Sequence, residues 1–303
     1  MKILVTGANG YIASNLVRYL VVKKYKVIAL EKQNSDFNKL RDLRGKIDFV
    51  TIKNDFGSIN NVFRQSRPYA VAHLAALTMM EHRPEQVKAL LSSNIVFPTL
   101  LLEAMRENGV KYLVNTGTFW EYAKTSATQH PLNLYAASKS AFEHIVRYYE
   151  DAHGFRCATL KLYGVYGPFD PRAKIISLLK KSISAKDPIS FSAGRQRLDL
   201  VYIDDVVRAF ERAIGYVCRK RSSIHETFFI GTGQSITLCQ VARIFSSCID
   251  KPLHIRWGGR PYRTREIMNS RADIRLARLK LHWRPQFDLQ SGISKMLKAE
   301  GLI

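Results

Sequence analysis

The sequence predicts an α/β fold: a doubly wound parallel sheet followed by a smaller α/β lobe on the C-terminal side. Three observations predict it. Short apolar runs alternate with helix-period segments from the first residue onward, the pattern of repeated β-α-β units. The first apolar run ends in a glycine-containing turn that opens a helix. After Gly167-Pro168 the alternation loosens into shorter pieces, which places the edge of the main sheet near that point.

The elements follow in order. Residues 2–5 form a buried strand, and residues 11–23 a helix with Ile12, Leu16, Tyr19 and Leu20 at helical spacing. Strands are expected at 26–30, 47–52 and 70–74. Pro84 opens a long helical stretch that stops at Asn108-Gly109, with a kink at Pro98. A fifth strand covers 112–115, a helix 133–153 ending at Gly154, and a sixth strand 155–162. Beyond these come a helix at 173–184, one beginning at Asp204-Asp205, a strand at 226–230, a helix at 237–249, a strand at 253–257 and two short basic helices. The expected division is 1–167 for the sheet domain, with returns near 199–231, and 168–198 plus 232–303 for the second lobe.

Composition sets the outer bounds. The chain has 303 residues, of which 46% are apolar and 24% charged. These are ordinary globular proportions, and they exclude a disordered or collagen-like chain. Four cysteines without a CxxC pair read as reduced thiols, most of them in the core. No run reaches the roughly 18 consecutive apolar residues of a spanning helix, and the first residues enter a strand at once. The expected setting is therefore cytoplasmic, without signal peptide or membrane insertion. The net charge of +22 favours anionic partners. It is dispersed, with its densest stretch at 256–284, where eight arginines face only Glu266 and Asp273. That dispersal argues against a nucleic-acid stripe.

The first strand runs into Thr6-Gly7-Ala8-Asn9-Gly10-Tyr11-Ile12-Ala13. Gly7 allows a tight turn, and Gly10 lets the backbone approach a pyrophosphate at the helix N-terminus. Ala13 permits close packing of helix on strand. This context makes the sheet Rossmann-like and predicts a dinucleotide. Glu31 ends the second strand, 21 residues after Gly10. A carboxylate there accepts from the adenosine ribose hydroxyls and repels a 2′-phosphate, which favours NAD. Asp55, after the third strand, is a candidate adenine contact.

Tyr135 and Lys139 stand four residues apart on a helix and share one face. The lysine cation favours the phenolate, bringing the phenol toward the working range of a proton donor at neutral pH. Thr116, at the carboxyl edge of the fifth strand, is placed to bind the reacting oxygen and turn it toward Tyr135. His73 reads as a structural histidine.

These motifs resemble those of the extended short-chain dehydrogenases/reductases of the NAD-dependent epimerase/dehydratase family. The matching features are TGANGYIAS, His73-Leu74-Ala75-Ala76, Asn94, the Thr116 strand end, Tyr135/Lys139, Val165-Tyr166-Gly167-Pro168 and Val201-Tyr202-Ile203-Asp204-Asp205-Val206. The resemblance implies a catalytic set of Thr116, Tyr135 and Lys139. It implies cofactor contacts at Gly7, Asn9, Gly10, Tyr11, Ile12, Glu31, Asp55, Ala75, Ala76 and Asn94, as well as at Tyr135 and Lys139. It further implies a nucleotide-diphosphate sugar as substrate, held by the second lobe, and a homodimer formed through the helices at 84–108 and 133–153.

Departures from the family pattern narrow the activity. The 4,6-dehydratases carry Asp-Glu directly after the strand-five threonine, where this chain has Gly117 and Thr118. Dehydration is therefore not expected, and Glu121, farther on, is a weak substitute. Gly164 stands where many epimerases have Asn, and Leu198-Asp199 replaces the usual Arg-Asp. Arg195 or Arg197 would supply the missing cation, and Arg263 would fork onto the pyrophosphate. With Thr78, Thr118 and Lys174 they are the substrate candidates. The phrases NTGTFW and PLNLYAASK are similar to abequose-synthase-like 4-ketoreductases, which reduce a nucleotide-linked deoxyhexulose. Such reductases mostly use NADPH, whereas Glu31 favours NAD, so both NAD(P) forms stay open. The other reading is an NAD-dependent NDP-sugar epimerase.

Overall fold

The computed structural model describes residues 1–123, 128–172 and 174–303. In chain order the first elements are β1 (Lys2–Thr6), α1 (Tyr11–Val22), β2 (Lys26–Lys32), β3 (Asp48–Ile52), α2 (Phe56–Ser66) and β4 (Ala70–His73). They are followed by α3 (Val87–Leu91), α4 (Phe97–Glu107), β5 (Tyr112–Thr118), α5 (Leu134–His153) and β6 (Arg156–Leu162). The remainder comprises β7 (Gly164–Tyr166), α6 (Ile175–Lys181), β8 (Ile189–Ser190), β9 (Arg197–Leu198), β10 (Leu200–Tyr202), α7 (Ile203–Cys218) and β11 (Ile224–Ile230). It closes with β12 (Ile236–Thr237), α8 (Leu238–Ile249), β13 (Ile255–Arg256), α9 (Arg275–Leu281) and α10 (Leu289–Ala299).

The chain forms two compact units. One comprises Met1–Lys161, Val207–Phe228 and Leu279–Trp283, the other Leu162–Val206, Phe229–Arg278 and Arg284–Ile303. The unit boundary thus falls after Lys161 rather than after Gly167, and Leu279–Trp283 returns to the first unit. The seven-stranded sheet has the order β11-β6-β5-β4-β1-β2-β3. The ladders linking β3, β2, β1, β4 and β5 are parallel. Strand order reverses between β1 and β4, the switch point beside which ligands bind in open α/β sheets. The core of this unit is aliphatic and aromatic, with Leu4, Ile28, Val71, Leu101, Leu113 and Phe142 each buried.

Caps explain several helix boundaries. Asn133 caps α5, its Oδ1 accepting from Ala136 N at 2.9 Å, and Gly154 ends it in the left-handed region at φ 68°. Thr237 and Gln240 form a capping box at the start of α8. The stretch from Pro84 to Glu107 is not one kinked helix. A 3-10 turn (Pro84–Gln86) leads into α3, then a π-helical segment (Ser92–Val96), then α4. Pro98 lacks the N–H that would bond four residues back, and the wider π turn before it absorbs that loss. By length and composition this stretch is apolar enough to cross a membrane, at a mean hydropathy of 1.3, with 39% of that window buried inside the chain. Here α4 packs on α2 and α5.

In the second unit β10 pairs in parallel with β7, β12 antiparallel with β9, and β13 in parallel with β8. The strand expected at 253–257 reduces to Ile255–Arg256. The helix expected at 173–184 is Ile175–Lys181, and its expected first residue, Ala173, lies outside the described residues. Buried Asp199 pins this unit locally, accepting from Thr232 N at 2.6 Å, Gly233 N at 3.0 Å and Ala272 N at 3.0 Å.

Candidate active site

At the first turn, Gly7 adopts φ +63°, and a Cβ there would meet Ala75 Cα at 2.7 Å. Glycine is therefore required on both counts. Gly10 is the N-cap of α1 in an extended conformation, with no side-chain cap and no acidic residue in the first turn. The N-terminus of this twelve-residue helix thus presents its N–H groups to an incoming anion. Tyr11 is buried, Ile12 half-buried and Ala13 buried against the sheet.

Glu31 lies within β2, one residue before its end. Its Oε1 accepts from Asn9 N at 2.7 Å, so the carboxylate sits at the glycine turn. Burial raises its pKa. The Asn9 side chain is tied to Asp36 at 2.7 Å and to Lys39 N at 3.1 Å. Asp55 caps α2, accepting from Ser58 N at 2.8 Å. It shares a recess with Gln33, Thr51, Ile52, Lys53 and Ser58.

The end of β4 is fixed by Thr6. Its Oγ1 lies 2.9 Å from His73 Nδ1 and accepts from Leu74 N and Ala75 N, each at 3.1 Å. His73 is fully buried between Phe97 and Phe142, and its pKa is held well below the usual range, by burial first and the Lys139 cation second. Among the described residues its Nε2 has no hydrogen-bond partner. Ala76 and Thr78 are exposed in the segment beyond. Asn94 is fully buried, its Oδ1 accepting from Leu77 N at 2.8 Å and its Nδ2 donating to Leu77 O at 2.9 Å and Ser138 Oγ at 3.1 Å. Its amide is spent on holding that segment against α5.

Strand β5 runs three residues farther than expected, so Thr116, Gly117 and Thr118 all belong to it. Thr116 Oγ1 donates to His73 O at 2.7 Å, which leaves its lone pairs for an incoming donor. Thr118 is buried, and its Oγ1 accepts from Trp120 N at 3.3 Å. Tyr135 and Lys139 are 9% and 2% exposed on α5, which packs on β5. The Trp120 ring meets Tyr135 edge-on at 6.0 Å. Burial lowers the Lys139 pKa to about 8.

Directly behind Gly117 lies a group of charges that sequence reasoning missed. Lys161 on β6 bonds both Glu121 and Glu143. The side chains are 0%, 0% and 3% exposed respectively. Glu121, weighed in the sequence only as a remote acid, is enclosed and accepts from Thr118 N at 2.8 Å and Ser140 Oγ at 3.2 Å. Two signals were available. Lys161 is a charge near the end of a strand buried from Cys157 to Leu162, and Glu143 continues the 135–139 stripe by one more turn.

The remaining substrate candidates belong to the second unit. Lys174 stands at the N-cap of α6. Arg195 is exposed, and its backbone N donates to Tyr262 Oη at 3.0 Å. The Arg197 guanidinium is engaged by Ser235, its Nε reaching Ser235 Oγ at 3.4 Å. Arg263 is exposed. Among the described residues no group of His, Cys, Asp and Glu could hold a metal ion.

Comparison with known proteins places this geometry. The model of the NAD dependent epimerase/dehydratase family matches residues 3–229. The chain is 29% identical to a CDP-abequose synthase of Salmonella muenchen, covering 98% of this chain and 97% of that one. It is 28% identical to a UDP-glucose 4-epimerase of Mycolicibacterium smegmatis, covering 98% of each. Among solved structures, the UDP-glucose 4-epimerase of Thermus thermophilus in complex with NAD superposes with a TM-score of 0.85 at 25% identity over 98% of each chain.

Proposed function

The chain belongs to the NAD-dependent epimerase/dehydratase family, and on that premise we propose that it reduces the 4-keto group of a nucleotide-linked 6-deoxyhexulose. The observation that carries this reading is a tyrosine–lysine pair on α5, packed on a strand in which Thr116 is followed by Gly117 rather than a carboxylate. The pair supplies proton transfer. The absent carboxylate, with Glu121 locked to Lys161, removes the extra acid and base that water elimination needs.

The residues present fit a dinucleotide. The uncapped start of α1 and the left-handed Gly7 suit its pyrophosphate, with Asn9, Gly10, Tyr11 and Ile12 offering backbone contacts. Glu31 suits the ribose hydroxyls and Asp55 the adenine edge. Ala75 and Ala76 let the chain pass close, while Asn94 positions rather than touches. When bound, the reduced nicotinamide supplies the hydride. Tyr135 donates the proton to the developing alkoxide, Lys139 holds the phenol in a cationic field, and Thr116 orients the sugar oxygen by exchanging its His73 bond. Thr78, Thr118, Lys174, Arg195, Arg197 and Arg263 form the substrate side of the proposal, with the arginines on the diphosphate. A second copy of the chain is expected against the helical stretches 84–108 and 133–153, which expose Val96 and Tyr148.

A second reading, an NDP-sugar epimerase that retains NAD, is favoured by one observation, the Glu31 carboxylate at the glycine turn. The two differ in stoichiometry. A reductase consumes one reduced nicotinamide per sugar, an epimerase none. Incubating the purified protein with a nucleotide-linked 4-keto-6-deoxyhexose and NADH or NADPH decides between them. Loss of the near-ultraviolet absorbance in step with product supports the reductase. No loss, together with NAD that copurifies, supports the epimerase.

A further inference from the structure

We propose that the buried Glu121–Lys161–Glu143 cluster is the counter-ion of Lys139, keeping that side chain charged in a site closed to water. The proposal deepens the reading above, since it rests on Lys139 serving the Tyr135 proton donor.

Lys161 lies between two carboxylates, and its Nζ bonds both. None of the three side chains is more than 3% exposed. Two carboxylates and one ammonium leave one negative charge uncompensated inside the first unit. An isolated buried charge is strongly disfavoured. Lys139 is itself 2% exposed and sits one helical turn before Glu143. Adding its ammonium brings the four groups to zero.

The hydrogen bonds hold both carboxylates in their acceptor roles. Glu121 accepts from Thr118 N at 2.8 Å and Ser140 Oγ at 3.2 Å. Glu143 accepts from Thr227 Oγ1 at 3.0 Å and Gln129 Nε2 at 3.3 Å. Such donors favour the ionised form; burial opposes them at Glu121 and raises its pKa, whereas at Glu143 the Lys161 cation and its hydrogen bond outweigh burial and lower it.

The groups around Lys139 act in both directions. Burial pushes it down, Glu121 and Glu143 push it up, and the Lys161 cation opposes them. His73 on β4 and His225 on β11 are both buried and held neutral, and His225 Nε2 lies 3.5 Å from Glu143 Oε1. Tyr135 shares the helix. Neutral imidazoles on either side leave the carboxylates as the only negative partners in this set. The cluster joins the turn just after β5, whose last residue Thr118 donates to Glu121, to α5 and β6, so it ties the strand carrying Thr116 to the helix carrying Tyr135.

The test reads Lys139 directly, without substrate. In the full chain with lysine side chains labelled with nitrogen-15, the Lys139 signal is assigned by its loss in Lys139→Met. Glu121→Gln keeps the shape and removes one charge. The Lys139 titration midpoint should then fall by about one pH unit or more. Glu143→Gln should act the same way and carries the test if the first variant does not fold. The double variant Glu121→Gln/Lys161→Met leaves one carboxylate facing one ammonium, and it should return the midpoint toward wild type. A merely structural role would make the double variant worse than the single. An unchanged midpoint in the Glu→Gln variants would overturn the proposal, because the cluster would then be neutral without Lys139. Failure of the functional reading is separable. It would appear as undiminished turnover in Tyr135→Phe, whatever Lys139 does.

Discussion

Gly117 and Lys161 exclude each other's growth: a Cβ at position 117 would lie 2.6 Å from Lys161 Cδ and 3.1 Å from its Nζ. The residue after the strand-five threonine is small because a buried lysine fills the space behind it. The same position would carry the first carboxylate of a dehydratase pattern. Packing and chemistry therefore point the same way at one residue.

Gly117→Ala should destabilise the chain by about 1–3 kcal/mol, as overpacking of a close-packed site does. Lys161 can move only by straining its bonds to Glu121 and Glu143. Denaturant unfolding of Gly117→Ala, Lys161→Met and the double variant forms a cycle. The alanine should cost less in the methionine background, and strict additivity would mean that the two residues do not touch.

Glu31 should govern cofactor choice. Wild type is expected to bind NADH more tightly than NADPH, because the carboxylate at the glycine turn repels a 2′-phosphate. Glu31→Ala should narrow or reverse that preference in fluorescence titrations. A strong preference of wild type for NADPH would show that Glu31 is spent on Asn9 alone.

Acid stability should depend on His225. Burial pushes its pKa down to about 4 from the ordinary 6.5. Between those values the unfolded chain binds the proton and the folded chain does not. Stability is therefore present above about 6.5 and is lost as pH falls toward 4. The loss should be on the order of 1–3 kcal/mol at about 1.4 kcal/mol per pH unit. His73, whose pKa burial also holds well below the usual range, acts in the same sense. Unfolding curves of wild type and His225→Asn across that window should differ in slope, and parallel slopes would rule out a neutral buried His225.

Arg263 is expected to hold the sugar-nucleotide diphosphate. Arg263→Ala should weaken binding of a nucleoside diphosphate and its sugar conjugate about 10-fold to 150-fold, the cost of one charge-assisted contact. Dinucleotide binding should barely change. Equal affinities by calorimetry would assign Arg263 to the solvated surface.

Much of the first unit was legible because its signals are local. Strand-helix alternation, the glycine turn and the Tyr135–Lys139 spacing each lie within a few residues of the structure they determine. The charged cluster was legible only as separate hints at Lys161 and Glu143, because Glu121, Glu143 and Lys161 meet only through tertiary packing across 18 to 40 residues of sequence. The π-helical segment was half legible. Pro98 announced a disturbance, but how the helix accommodates it depends on what α4 packs against. In the second unit the strands are two or three residues long outside the main sheet, too short for periodicity to mark their ends.

The central claim is that Tyr135 donates the proton in a hydride-transfer reduction of a nucleotide-linked 4-keto sugar. The most direct measurement follows reduced nicotinamide and sugar product together in wild type and Tyr135→Phe. Equal amounts of cofactor oxidised and sugar reduced are expected in wild type. In the variant turnover should fall by about 10² to 10⁴ with cofactor affinity little changed. Sugar converted without cofactor consumption, or near-wild-type turnover in Tyr135→Phe, would contradict it.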